Sequence, residues 1–135
     1  MTSTTGNSRT PSWVEDRLAV QDVVDGIDAA VDAKDWIGCR RYFTDSIDVD
    51  FSSLGGGAPA RMPADDLVAT WSANLFADKH TQHMRSNYQM ELAGDTATVT
   101  HTLARTEGGW RCTGMALAVT YARGNETVRT YQPES

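Results

Sequence analysis

Long apolar runs are missing from this sequence: nothing in it approaches the ~20 consecutive apolar residues that a membrane span needs. The polar start through residue 10 also lacks the basic and apolar regions of a secretory leader. We therefore expect a cytoplasmic protein with no membrane partner. A basic excess is missing too. Twelve Lys and Arg stand against 18 Asp and Glu, for a formal net charge of −6. The cations are scattered rather than gathered in a stripe with aromatics, so neither nucleic acid nor an anionic membrane surface is an expected partner. Cysteine is scarce, and Cys39 and Cys112 do not form the disulfide framework of a small secreted domain. Both read as reduced, small core residues. Metal ligands are thin: His80 and His83 stand three apart, with no cysteine and no further histidine nearby. Neither a metal nor a cofactor is expected. Gly55-Gly56-Gly57 has no following Lys-Ser/Thr and no strand-loop-helix context, so it reads as a loop rather than a phosphate cradle.

What is present is enough for one domain. The 135 residues, 40% of them hydrophobic, can bury one sizeable core and are too few for two. Residues 1–11 are rich in Thr, Ser, Gly and Asn and are expected to be a disordered tail. The domain is expected over residues 12–125, with a second polar tail over 126–135. Ser12-Trp13-Val14-Glu15 fits a capping box that starts a helix. Val20, Val23, Val24, Ile27, Ala30 and Val31 then recur at helical spacing, with Asp32 at the margin of the stripe near the helix end. A short helix is expected over 35–43, and a strand over 47–51, where apolar and acidic residues alternate. A helix begins at Pro63 and ends near Ala77, carrying Leu67, Val68, Trp71, Leu75 and Phe76 on its apolar face. Strands follow over 85–92, 96–105 and 110–122, separated by turns at Gly94 and at Gly108-Gly109. Helices, strand, helix and then a meander indicate an α+β fold, with helices on one concave face of a bent sheet.

Two polar residues stand out against this scaffold. His83 lies in Lys79-His80-Thr81-Gln82-His83-Met84-Arg85-Ser86-Asn87, where a loop runs into a strand-like segment, and Asp32 lies in Val31-Asp32-Ala33-Lys34-Asp35-Trp36. A carboxylate at a helix C-terminus is disfavoured by the helix dipole, which is a small argument that Asp32 has a use. A carboxylate beside an imidazole fixes its tautomer and makes it a usable base near neutral pH. We expect the two to meet in an apolar pocket and to move protons on a small organic ligand. The plain alternative is a solvated acid and a satisfied loop histidine. Trp71, Asn87, Met90, Met115 and Leu117 are candidate cavity-lining residues, although apolar residues at such spacing also serve as ordinary core.

Four stretches, taken together, resemble a known family: Asp32-Ala33-Lys34-Asp35-Trp36, Met62-Pro63-Ala64-Asp65-Asp66-Leu67-Val68, Thr81-Gln82-His83, and Glu107-Gly108-Gly109-Trp110-Arg111. Their order and spacing over residues 13–121 resemble the scytalone-dehydratase and SnoaL-like branch of the nuclear-transport-factor-2-like superfamily. The resemblance implies a cone-shaped, curved antiparallel sheet closed by helices, with an apolar cavity for a small hydrophobic substrate or ligand. It implies an Asp32–His83 catalytic dyad acting on a polyketide-like or steroid-like carbonyl compound, with dehydration, cyclisation or isomerisation as the chemistry. It equally admits a protein that binds such a molecule without transforming it. Val31 and Phe51 stand where the family dehydratase has water-orienting tyrosines, which places both at the substrate without that device. A second pocket histidine has no matched position, although His101 lies close in sequence. The segments 96–100 and 101–106 leave the sheet one strand short of the family pattern. Period two would send Met115, Leu117, Val119 and Tyr121 to one face, which either points into the cone or, as an exposed apolar patch, marks the interface of a homodimer or another homo-oligomer.

Overall fold

Valines at three- and four-residue steps make the first element. In the computed structural model, which describes residues 11–54, 57–119 and 123–124, α1 (Pro11–Ala33) buries Val20, Val23, Val24, Ile27 and Val31 on one face. Pro11 is already helical, so Ser12 lies inside the first turn rather than capping it, in keeping with the tolerance for proline at a helix start. Residues 1–10, 55–56, 120–122 and 125–135 lie outside the described residues, and with them the expected tails apart from the helical Pro11, most of the glycine run and Tyr121. A glycine inside a helix costs about 1 kcal/mol relative to alanine, and Gly26 has a packing reason: a Cβ there would fall on the Tyr42 ring. The helix ends in a Schellman turn. Lys34, with φ 57°, gives its amide to Val31 O at 3.0 Å, and the Asp35 amide reaches Ala30 O at 2.9 Å.

Asp35 then caps α2 (Trp36–Arg40) by accepting from the Gly38 amide at 2.9 Å. This helix stops before the expected 43, because Phe43 opens β1 (Phe43–Asp50), which points Phe43, Ile47 and Val49 inward. Phe51 lies just past the strand. The strand β2 (Ala60–Pro63) has no counterpart in the sequence reading. Its four residues are too short and too polar to show a period, and they are strand because they pair with β1, Ile47 opposite Met62 and Asp48 opposite Arg61. Pro63 caps α3 (Ala64–Asn74) rather than entering it, and the helix closes three residues before the expected Ala77. Asp65 and Asp66 sit in its first turn, where the dipole favours them. Arg40 joins these pieces, reaching Asp65 at 2.6 Å and Asp45 at 2.9 Å.

The expected strand over 85–92 shrinks to β3 (Glu91–Ala93), and the single expected strand over 96–105 is two. A bend at Val99 and Thr100 separates β4 (Thr96–Thr98) from β5 (His101–Thr106), and they pair directly, Thr98 opposite Thr102. No further strand lies between them. The last strand, β6 (Gly109–Ala116), ends well before the expected 122. These form one open six-stranded sheet in the order β2-β1-β6-β5-β4-β3. It is antiparallel except where β1 and β6 run parallel, a departure from the all-antiparallel expectation. The helices α1 and α3 cover one face of the sheet, and the core between them includes Val24, Ile27, Leu67, Ile47, Leu103 and Cys112. Cys39 and Cys112 are buried free thiols, pushed up to about 11 and about 12 by burial.

A bulge in β6 overturns the expected apolar patch. Leu103 pairs with Cys112 and Thr102 with Gly114, so Thr113 is the extra residue and the inward phase shifts by one. Met115, opposite His101, therefore packs on the core side with Trp110 and Cys112, not on an outer face. Leu117, past the strand end, is exposed. Among the described residues no helix is long and apolar enough to cross a membrane.

Candidate functional site

Residues 75–90, between α3 and β3, have neither helix nor strand, and this stretch carries His83. Among the described residues, 80–90 make no backbone–backbone hydrogen bond, so no ladder sets their position. Side chains of α1 do so instead. Asp25, Asp28 and Asp32 stand at i, i+3 and i+7 on the helix, which stacks them along one side. Asp25 accepts from the Tyr88 hydroxyl. Asp28 takes the Arg85 fork, with Nε at 2.5 Å and Nη2 at 3.2 Å. Asp32, in the last helical turn, takes three groups. Thr81 Oγ1 donates to its Oδ1 at 2.7 Å, the His83 amide donates to its Oδ2 at 2.8 Å, and His83 Nδ1 lies 2.6 Å from Oδ1.

The proton positions follow from these contacts. Burial alone would raise the Asp32 carboxyl, but the His83 amide, the Thr81 hydroxyl and the His83 ring outweigh it and hold Asp32 below its ordinary 3.8. Asp32 is thus a carboxylate at neutral pH and can only accept. His83 Nδ1 must carry the hydrogen, which leaves Nε2 with the free lone pair. An imidazole in that tautomer is competent to take a proton from a ligand. The Schellman turn keeps the Asp32 carboxylate at this end of the helix, and the Lys34 ammonium, at the turn itself, binds the Lys79 carbonyl and ties down the start of the loop. The pair is not enclosed: the His83 side chain is 46% exposed and that of Asp32 22%.

Among the described residues, none of the remaining sequence-predicted residues shares a hydrogen bond with this pair. Val31 is in the core. Phe51 and Trp71 are half-buried, with ring centroids 6.4 Å apart. Met90 and Met115 are half-buried against the core, Leu117 is exposed, and Asn87 is exposed at φ 54°. An open groove of about 700 Å³ is lined by Asp48, Asp50, Arg61, Thr98, Thr102 and Met115, among others, and a second of about 510 Å³ by Trp36, Ile37, Arg41 and Val68. Neither of the two touches Asp32 or His83, so the expected apolar pocket around the pair is not one of them. Among the described residues no group of three or more His, Cys, Asp or Glu side chains is arranged to hold a metal ion.

Sequence reasoning missed Thr81, Asp28, Arg85 and Thr100 as partners, although the spacing of Asp25, Asp28 and Asp32 was a signal. His101, noted only for its position in sequence, is buried. Arg85 Nη1 donates to Thr100 Oγ1 at 2.7 Å, and that oxygen lies 2.8 Å from His101 Nδ1. Among the described residues His101 Nε2 is buried without a partner, at a cost of about 1–3 kcal/mol. Burial, together with the nearby Arg85 guanidinium, pushes His101 down to about 4.

The residues 12–104 match the SnoaL-like domain family. No protein in the curated set matches the sequence. A crystal structure of a Kribbella flavida protein shares 22% identity at a TM-score of 0.80, covering 87% of this chain and 99% of its own. A proposed aromatic ring hydroxylase of Novosphingobium aromaticivorans shares 23% at 0.70, covering 87% and 98%. A proposed dehydratase of the nuclear-transport-factor-2-like family from Streptomyces avermitilis shares 12% at 0.67, covering 84% and 100%. At these identities the likeness is one of fold.

The buried His101 gives a pH signature with a defined sign. Folded His101 binds its proton only near pH 4, whereas the unfolded residue binds it near 6.5. Its contribution is whole above about pH 6.5 and is lost as pH falls towards 4, by on the order of 3 kcal/mol in all. Urea melts at about pH 7 and about pH 5 should show the parent losing about 2 kcal/mol more than His101→Leu. Equal losses in the two proteins would contradict this account of His101.

Proposed function

The chain belongs to the SnoaL-like domain family, within the nuclear-transport-factor-2-like superfamily, and we propose that it is a cofactor-independent acid–base enzyme for a small hydrophobic carbonyl compound. The observation that carries this reading is the Asp32–His83 contact, in which a carboxylate fixes Nδ1–H and frees Nε2 as a base. His83 Nε2 takes the proton next to the carbonyl, and the C–H electron pair moves into an enolate. In a dehydration, the enolate expels a β-hydroxyl group as the carbon–carbon double bond forms, and the imidazolium returns its proton to that oxygen, releasing water. In a cyclisation, the enolate carbon attacks a second carbonyl and the imidazolium protonates the new alkoxide. Proton transfer by a placed side chain supplies about 10²–10⁴-fold, so the substrate needs an already acidic proton, as in polyketide-like or steroid-like carbonyl compounds. Phe51 and Trp71 offer a half-buried aromatic surface for such a molecule.

One observation favours a second reading, a binding protein without chemistry: His83 is nearly half exposed, and a reactive base is better served by a dry site. Mass spectrometry of molecules carried through purification names the ligand for either reading. With that compound in hand, His83→Ala should lower kcat by about 10²–10⁴-fold, and Asp32→Asn by a comparable factor through the wrong tautomer. Undiminished turnover in His83→Ala would remove His83 from the mechanism.

Self-association forms part of the same proposal. With Met115 turned inward, it rests on the open sheet, whose end strands β2 and β3 each leave one edge unpaired among the described residues. A symmetric dimer is the commonest closed form. Sedimentation equilibrium at micromolar concentration should give twice the 14.7 kDa chain mass; a species of 14.7 kDa would count against it.

A further inference from the structure

Asp32 can fix the His83 tautomer only if the His83 backbone stays where its ring and amide both reach the carboxylate, and the loop has no ladder to keep it there. Two residues on, Arg85 supplies the firmest hold on the loop. Its Nε and Nη2 grip both oxygens of Asp28, and the two side chains are only 22% and 13% exposed, the most sheltered ion pair among those described. The remaining guanidinium edge binds Thr100 in the bend between β4 and β5, and through Thr100 the hold extends to the buried His101. One side chain therefore ties the loop to the helix that carries Asp32 and to the sheet. We propose that Arg85 is the positioning residue of the Asp32–His83 pair, keeping His83 Nδ1 on Asp32 through the fork on Asp28 and the bond to Thr100. This inference rests on the proposed dyad and deepens it.

The shape of the guanidinium matters to this role. A planar fork fixes direction as well as distance, whereas a lysine ammonium is a point charge on a flexible stem, with its three donors radiating from one atom, and does not hold a carboxylate in one orientation. Arg105 offers a matched comparison. It makes an equally bidentate pair with Asp16, at 2.9 and 2.7 Å, but holds β5 to the first turns of α1, about 24 Å along the helix from Asp32. Loss of Arg105 costs its ion pairs with Asp16 and Asp95 and its place over the Trp110 ring, without touching the loop.

The test is the His83 tautomer, read from imidazole ¹⁵N–¹H correlations on the full-length labelled protein at mildly alkaline pH. The parent is expected to carry the His83 proton on Nδ1. In Arg85→Met the ratio of Nδ1–H to Nε2–H should fall by about tenfold or more, the worth of one charge-assisted hydrogen bond. Arg85→Lys should fail to restore it, and Asp28→Asn, which keeps the helix side chain's shape, should reproduce the loss if Arg85→Met does not fold. Arg105→Met should leave the ratio at the parent value, separating positioning from general destabilisation. A parent ratio retained in both Arg85→Met and Asp28→Asn would overturn the positioning role alone. A parent without the Nδ1–H tautomer would overturn the dyad reading, and the positioning role with it.

Discussion

The site depends on three aspartates of one helix that do for a loop what a neighbouring strand does for a strand. Asp25, Asp28 and Asp32 bind Tyr88, Arg85 and the Thr81–His83 pair in turn, so the path of the loop is copied from the helix in reverse order. Each bond has a carboxylate acceptor and is stronger than a neutral one. The spacing comes from the 3.6-residue repeat, which also turns Val24, Ile27 and Val31 into the core. Burial of the valines sets the helix on the sheet, and the seated helix then presents its acids to the loop. The position of His83 is thus tied to packing beneath α1.

The same arrangement explains which charges sit where. Asp32 occupies the helix end where a negative charge is least welcome, and it stays ionised because an amide, a hydroxyl and an imidazole surround it. Tyr88, pushed up to about 12 by burial and by its bond to Asp25, remains a donor across the physiological range. His101, by contrast, is kept neutral by burial beside Arg85. The two histidines are therefore sorted by environment. His83 is half-exposed, with a carboxylate on one nitrogen, while His101 is enclosed, with a hydroxyl on Nδ1 and no partner for Nε2 among the described residues.

Much of this was legible where a single period governs a segment. The α1 stripe, the turn at Gly94 and the short helix around Cys39 follow from local pattern, and so does the mixed α+β order. The Asp32–His83 contact followed from a resemblance and from the chemistry of the two groups, not from a period. What escaped was set by distant partners. The loop over 80–90 has the alternation of a strand in Tyr88 and Met90, but Asn87 turns to positive φ and the α1 acids compete for its polar groups. Thr113 reads like any strand threonine, yet the bulge there reverses the facing of Met115. The strand β2 exists only because β1 is beside it. The openness of the pair was illegible for the same reason, since exposure depends on what the rest of the chain leaves uncovered.

Amide hydrogen exchange at residues 82, 83 and 84 reads the hold of α1 on the loop, because the His83 amide has a carboxylate acceptor in Asp32 while the loop has no ladder. Exchange should be slow at His83 between fast-exchanging amides at Gln82 and Met84, with the protection at 83 lost in Asp32→Ala. Fast exchange at all three amides in the parent would show that α1 does not hold the loop.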